Sequence, residues 1–312
     1  MQIFNDLSEI KKDKNTVLTI GTFDGIHLGH KELIDKVVSD AQRFGGRSFL
    51  VTFNPHPRSI VSKDFKLKLL TTLKEKADRL ESLGIQNLFI LKFTREISQL
   101  TAEEFFKKFI VDGIGLREII IGYNHHFGKG RSGDKNTLDS MGKVFDFDVK
   151  AISALQQDDE TISSSKVREL LSKGVIKKAN DFLGRSYSFG GKVVEGDKRG
   201  RTLGFPTANI ALDDVNKLLP ALGIYLVEFF VKNEKYFGLL SVGQRPTFYE
   251  SGQVVPEVYV LDFDQDIYGE YVTVKVLERI RGEEKFSSVE DLVLQMNKDK
   301  EIGIELISKL AS

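Results

Sequence analysis

Short apolar runs and longer amphipathic stretches alternate through the first half of the chain. The runs at 17–21, 48–53, 87–93 and 118–123 are rich in β-branched and aromatic residues, and 149–155 is a weaker fifth. Between them, apolar residues recur every three or four positions over 31–44, 73–83, 102–111 and roughly 138–145. The first set predicts strands and the second predicts helices. Near-continuous apolar strands alternating with helices predict an α/β unit whose parallel sheet is covered on both faces.

The period changes after Arg185. Serines at 163–165 stand before a short helical pattern, and a second one runs through Asp181–Gly184. Beyond them, 187–194, 224–231, 235–240, 255–263 and 270–280 read as strands joined by glycine-rich turns. No long helix interrupts them, which predicts a compact all-β unit, an antiparallel barrel or sandwich. A helical pattern over 289–310 follows and is expected to pack against it. Two domains are therefore expected, 1–184 and 185–312.

Composition narrows the function. Lys plus Arg and Asp plus Glu number 45 each, so formal net charge is zero. That balance argues against broad nucleic-acid or membrane-surface binding. The absence of cysteine excludes disulfides, thiolate metal sites and cysteine nucleophiles. No cleavable signal segment or long apolar span is evident, so a cytoplasmic location is expected.

Chemistry concentrates first at Gly21-Thr22-Phe23-Asp24-Gly25-Ile26-His27-Leu28-Gly29-His30. An apolar strand ends in a glycine turn and a helix begins. Unpaired N–H groups and the helix dipole converge there, which suits an anion. Gly21, Gly25 and Gly29 let backbone approach a phosphate, and Phe23 lies within the turn. His27 and His30 share a helix face and can donate to phosphate oxygens. Asp24 either caps the turn or touches ligand. A second segment, Ile162-Ser163-Ser164-Ser165-Lys166-Val167-Arg168, also opens a helix. Its serines are N-cap signals, and Arg168 alone reads as a solvated helix residue.

Together these two segments resemble the nucleotidyltransferase superfamily that carries a His-x-Gly-His site paired with an ISSS/T-x-x-R segment. The resemblance implies a Rossmann-like domain that transfers a nucleotidyl group from a nucleoside triphosphate to a phosphate and releases pyrophosphate. It implies catalytic roles for His27, His30 and Arg168, with Ser163, Ser164 and Ser165 as phosphate ligands. The stretches Val51-Thr52-Phe53-Asn54-Pro55-His56-Pro57 and 122–133 resemble the adenylyltransferase module of bacterial FAD synthetases. Asn124 stands where that module contacts the nucleotide or flavin phosphate. His56 either contacts flavin or packs. At His125 and His126 the chain departs from the usual pattern of Phe and Arg. Lys129 and Arg131 occupy a glycine-rich loop that reads best as solvated.

The second half carries Gly190-Gly191-Lys192 through Gly196, Gly200 and Arg201 to Gly204-Phe205-Pro206-Thr207-Ala208-Asn209. It is glycine-rich and basic without the Gly-Lys-Ser/Thr ending of a Walker loop. Thr207 and Asn209 share one face of an extended strand, and such oxygen donors suit Mg²⁺ held with nucleotide phosphates. The stretch resembles riboflavin kinase, as do 223–225, 241–248 and 257–263. The resemblance assigns Thr207 and Asn209 to metal, Gly191, Lys192, Gly196, Gly200 and Arg201 to ATP phosphates, and Glu257 as general base.

The resemblance covers nearly the whole chain and matches the bacterial bifunctional riboflavin kinase/FAD synthetases. It implies ATP-dependent conversion of riboflavin to FMN and then of FMN to FAD, with Mg²⁺ as cofactor. Riboflavin, FMN and ATP are the expected partners, with no nucleic acid and no membrane. The alternatives are a monofunctional FMN adenylyltransferase with a flavin-binding barrel and a non-enzymatic flavin sensor.

Overall fold

The computed structural model describes residues 1–62, 67–196, 200, 203–244 and 254–310. The chain divides into two compact units, Met1–Ser163 and Ser164–Ser312.

The first unit is a six-stranded sheet in the order β1-β4-β3-β2-β5-β6. Its strands are β1 (Gln2–Phe4), β2 (Thr16–Ile20), β3 (Arg47–Asn54), β4 (Asn87–Lys92), β5 (Glu118–Gly122) and β6 (Asp148–Ile152). Every pairing is parallel. Side-chain alternation divides the core between the two faces. Leu18, Phe49, Phe89, Ile119 and Ile121 lie in one cluster with Phe106, Ile110 and Leu138. Val17, Leu50, Leu88 and Ile120 lie in the other with Leu33, Ile34, Val37 and Leu80. Helices α1 (Leu28–Arg43) and α3 (Leu73–Ser82) supply the second cluster. Helix α4 (Ala102–Phe106), its π-helical continuation Lys107–Ile114, and α5 (Lys135–Phe145) supply the first. β1 is too short to register as an apolar run, as is α2 (Pro57–Val61). Strands β7 (Gln156–Gln157) and β8 (Glu160–Thr161) form a small hairpin that leads out of the unit.

The second unit is a closed antiparallel barrel in the order β10-β13-β12-β11-β14-β9. Its strands are β9 (Tyr187–Val194), β10 (Thr207–Leu212), β11 (Gly223–Val231), β12 (Glu234–Gln244), β13 (Val254–Val260) and β14 (Tyr271–Gly282). Barrel closure removes exposed edges, and alternation, broken by two register shifts between β11 and β14, fills the interior with Val193, Ala208, Tyr225, Phe229, Val258 and Val274.

Two helices that precede the expected boundary at 184 group with the barrel, namely α6 (Ser164–Ser172) and α7 (Ile176–Leu183). The period changes at 185, yet α7 packs on β14 and β9, and α6 packs on α7. Asn180 of α7 donates from Nδ2 to the Val276 carbonyl at 2.9 Å, and its Oδ1 accepts from Tyr187 N at 2.7 Å. Ala221 N donates to the Leu171 carbonyl of α6 at 2.9 Å.

The terminal helix α8 (Val289–Leu310) is pinned to β14 by a bidentate pair. Arg281 Nε and Nη2 reach the Asp299 carboxylate at 2.9 and 2.8 Å, and Gln295 Nε2 adds a bond at 2.9 Å. Asp299 is only 3% exposed at its side chain and Arg281 14%. Removing one member of so enclosed a pair strands the other charge. Asp299→Ala is expected to destabilise the barrel unit by about 3 kcal/mol, read as a lowered denaturant midpoint for its transition.

Candidate active sites

Parallel strands put all their carboxyl ends on one edge of the sheet, and the chain reverses its direction of travel between β2 and β5. From β2 it moves outward to β3 and β4, then returns to β5 and continues to β6. That point is where open α/β sheets hold ligands. The turn after β2, the loop after β3 with His56, and the loop after β5 with Asn124 all meet that edge.

The turn after β2 has an unusual backbone. Phe23 (φ 46°) and Ile26 (φ 39°) are non-glycine residues in the left-handed region, and Gly25 lies there at 85°. Each such non-glycine residue costs about 1–3 kcal/mol and persists only when its surroundings over-determine it. Here they do. The buried Asp24 carboxylate accepts from Leu70 N at 3.0 Å, from Thr71 N at 3.0 Å and from the Thr71 hydroxyl at 3.3 Å. The Thr71 hydroxyl in turn accepts from Gly25 N at 3.1 Å. A Cβ on Gly25 would stand 2.7 Å from Leu70 Cδ1, so glycine is required by space as well as by φ. Asp24 therefore caps the turn.

The turn delivers two imidazoles to the start of α1. His27 is its N-cap and is buried; its Nδ1 accepts from His30 N at 3.3 Å. That bond fixes the neutral tautomer with the proton on Nε2. The two rings stack with centroids 3.8 Å apart, and Phe23 packs on His30 at 5.0 Å. Gly21 closes β2 through a bond from its N to the Val51 carbonyl at 3.0 Å, and Gly29 occupies the first turn of α1, where N–H groups lack intrahelical acceptors.

The other residues expected in this unit take varied places. His56 caps α2, its Nδ1 accepting from Arg58 N at 3.1 Å. Asn124 is exposed just beyond β5, where His125 N returns to the Gly122 carbonyl at 3.0 Å. His125 stacks on Phe127, and burial first, then the neighbouring His126, pull its pKa down to about 4. It is neutral near pH 7. Lys129 and Arg131 are exposed. Ser163 closes the first unit. In the second, Ser164 opens α6, Ser165 is exposed and Arg168 is half-buried one turn further on.

On the barrel, Asn209 pairs with Glu257 and Thr207 with Tyr259 across β10 and β13. All four therefore share the outward face. The Thr207 hydroxyl donates to Glu257 Oε2 at 3.2 Å. Asn209 is 5% exposed, and a Cβ on Gly196 would collide with its amide, so glycine there permits the close approach. Gly200 contacts Phe205 backbone beside Thr207. Lys192 lies on the same outward face, opposite Ala211, and is exposed, whereas Gly191 points inward and keeps β9 against β10. Arg201 and the 245–248 stretch lie outside the described residues. A cavity of about 300 Å³ opens between Val193, Pro206, Thr207, Val258 and the 263–268 turn. Tyr268-Gly269-Glu270 closes that turn, Glu270 N bonding to the Ile267 carbonyl at 3.1 Å.

Both halves match known families in the order the folds suggest. The FAD synthetase family matches residues 9–166, and the riboflavin kinase family matches residues 183–307. A Bacillus subtilis (strain 168) bifunctional riboflavin kinase/FMN adenylyltransferase is 36% identical over 309 residues, covering 96% of each chain. The protein of that name from Listeria monocytogenes is 35% identical over 301 residues, covering 96% of this chain and 94% of its own. The chain belongs to the bifunctional riboflavin kinase/FMN adenylyltransferase family. A solved Streptococcus pneumoniae structure described as a macrolide-efflux protein superposes with a TM-score of 0.87 at 32% identity, covering 96% of this chain and 97% of that one. Among the described residues of this family member, no helix is long and apolar enough to cross a membrane.

Sequence reasoning missed the underside of the turn after β2. Thr52, Thr71 and Lys76 converge there. Lys76 had a signal: it occupies an inward position in the 73–80 stripe otherwise made of Leu73, Ala77 and Leu80. Because Asp24 holds three donors under this turn, Asp24→Ala is expected to destabilise the first unit by about 3 kcal/mol. FAD formation is expected to fall while FMN formation stays at the parental rate, measured on the same full-length sample.

Proposed function

We propose that the two units carry the family's two reactions at the two sites described above. The single observation behind this is their separate placement: the paired imidazoles lie at the carboxyl edge of the parallel sheet, and the Thr207–Glu257 pair lies on the barrel face. The chain phosphorylates riboflavin to FMN and adenylylates FMN to FAD.

In the first unit, an FMN phosphate oxygen attacks the α-phosphorus of ATP and the bond to pyrophosphate breaks. The nucleophile is already ionised, so no general base is required. What the reaction needs is position and charge compensation. His27, with Nε2 carrying its proton, and His30 donate to the α-phosphate and the departing oxygen. The backbone of Gly21, Phe23, Gly25 and Gly29 lines the triphosphate. Ser163 adds a hydroxyl for a further phosphate oxygen, and His56 and Asn124 face the flavin side.

In the barrel, the ribityl 5′-hydroxyl attacks the γ-phosphorus of ATP and ADP leaves. An alcohol is a poor nucleophile near pH 7, and Glu257 accepts its proton. The Thr207 hydroxyl orients that carboxylate. Lys192, Gly196 and Gly200 face the phosphates. The donors present suit Mg²⁺: Thr207 and Asn209 offer oxygens on one face, and no group of three His, Cys, Asp or Glu forms a metal cage among the described residues. Mg²⁺ characteristically binds through one or two protein oxygens, with phosphate and water completing its shell. When bound, it neutralises charge on the transferring phosphate. We place the protein in the cytoplasm with these substrates.

A timed chromatographic assay with riboflavin, ATP and Mg²⁺ tests this. FMN should appear first and FAD second. His30→Ala should lower FAD formation at least about a hundredfold and leave FMN formation intact. Glu257→Ala should lower FMN formation by a similar factor, about a hundredfold, yet convert supplied FMN to FAD. Equal loss of both steps in either folded variant would sink the two-site reading.

A further inference from the structure

A lysine lies buried beneath the strained turn. Lys76 of α3 is 7% exposed. Its Nζ donates to the Thr22 carbonyl at 2.7 Å and to the Thr52 hydroxyl at 3.3 Å, and that hydroxyl also donates to the Thr22 carbonyl at 3.2 Å. Two donors thus converge on one carbonyl in the turn, on the side toward the sheet. Packing alone does not call for a charge there, because a methionine fills nearly the same volume without desolvating an ammonium. A lysine in that place makes physical sense if its charge acts on something.

We propose that Lys76 is a positioning residue for adenylyl transfer. Its ammonium holds the Thr22 carbonyl inward, so the Phe23 N–H of the same trans peptide points the opposite way, toward the triphosphate, and it adds a fixed positive charge behind that group. A carbonyl swung outward would place partial negative charge against phosphate. This rests on assigning the turn to the triphosphate, as proposed above.

The electrostatic surroundings agree. Burial pulls the Lys76 ammonium down to about 8, against the opposing pull of Asp24. Among the described residues the groups around it are few. The turn contributes Asp24, with His27 and His30 beyond it. β3 contributes the Thr52 hydroxyl. The 67–72 segment contributes Leu70, Thr71 and the exposed Lys68. Its own helix contributes Glu75, engaged in capping Thr72 at 2.9 Å, and the Lys74–Asp78 pair at 2.9 Å. Imidazoles titrate in water at about 6.5, on the acid side of this window. An activity that needs the Lys76 ammonium is complete at pH 7 and declines as pH rises past about 8.

Stability runs the other way. The folded pKa lies below the ordinary value of 10.5, so deprotonation between about 8 and 10.5 relieves the burial penalty. A decline in FAD formation in this window is therefore not unfolding driven by this group.

The test is the pH profile of kcat/KM for ATP in FMN adenylylation between pH 6.5 and 9.5, with riboflavin phosphorylation measured in the same full-length samples. The wild-type profile should fall above about pH 8 with the slope of one proton. Lys76→Met should lose about tenfold at pH 7, mainly in KM for ATP, and lose the alkaline limb. Lys76→Arg should retain more of the rate and also lose the limb, since guanidinium stays charged. Kinase activity should be unchanged throughout. A limb that persists in both variants overturns the proposal. So does a wild-type profile flat to pH 9.5, which needs no variant to fold. Failure of the underlying assignment looks different: His30→Ala would then keep forming FAD at every pH.

Discussion

Strand β2 is buried along its whole length between β3 and β5, and the geometry of the first unit follows from that burial. A strand covered on both faces and paired on both edges must be uncharged and largely apolar, here with only the small hydroxyls of Thr16 and Thr19, and parallel to neighbours reached through helices. Its carboxyl end then has one exit, the switch point of the sheet. The exit is narrow. The chain turns through left-handed backbone at Phe23, Gly25 and Ile26 before α1 can begin. That strain is held by bonds from beneath, with Asp24 gathering the 70–71 backbone and Lys76 gathering Thr22 and Thr52. The same bonds decide which backbone groups face the ligand edge. Fold stability and the phosphate recognition proposed for this turn therefore share one set of contacts.

The barrel reaches a similar end by a different constraint. Alternation along β10 and β13 sends Ala208 and Val258 inward and Thr207, Asn209 and Glu257 outward. The apolar members anchor the strands, and the polar members are aligned by cross-strand register rather than by a loop. Asn209 and Thr207 are two residues apart on one strand, and Glu257 faces them from the next. A carboxylate and two uncharged oxygen donors are brought within reach by ladder geometry alone.

Much of this was legible in the sequence because the relevant signals are periodic or local. Five of the six parallel strands stand out as apolar runs, and the helices between them carry three- and four-residue spacing. The turn from Gly21 to His30 is local, so its imidazoles could be placed at a helix start before any coordinates. Strand β1 was hidden because three residues make no period. Helices α6 and α7 are legible as helices, but their partner is not, since an amphipathic face does not say which surface it covers. Asn180, which joins α7 to two barrel strands, is an unremarkable polar residue in the sequence. Lys76 was hidden for a related reason. Its inward phase was readable, but a lysine inside an apolar stripe gives no reason to be buried until the acceptors 24 and 54 positions away are known.

The closure of the barrel carries a consequence for how its chemistry is protected. In an open sheet, an edge strand can slide by one residue and lose little pairing, yet such a slide turns every side chain to the opposite face. In this ring each strand is held on both sides, so a slide of β10 would have to break its pairings with β9 and β13 together. A one-residue slip would carry Thr207 and Asn209 into the apolar interior and bring Ala208 out. The ring thus works as a phase lock. It fixes which of two alternating sets of side chains occupies the outward face proposed for the substrate, whatever the turns at its ends do.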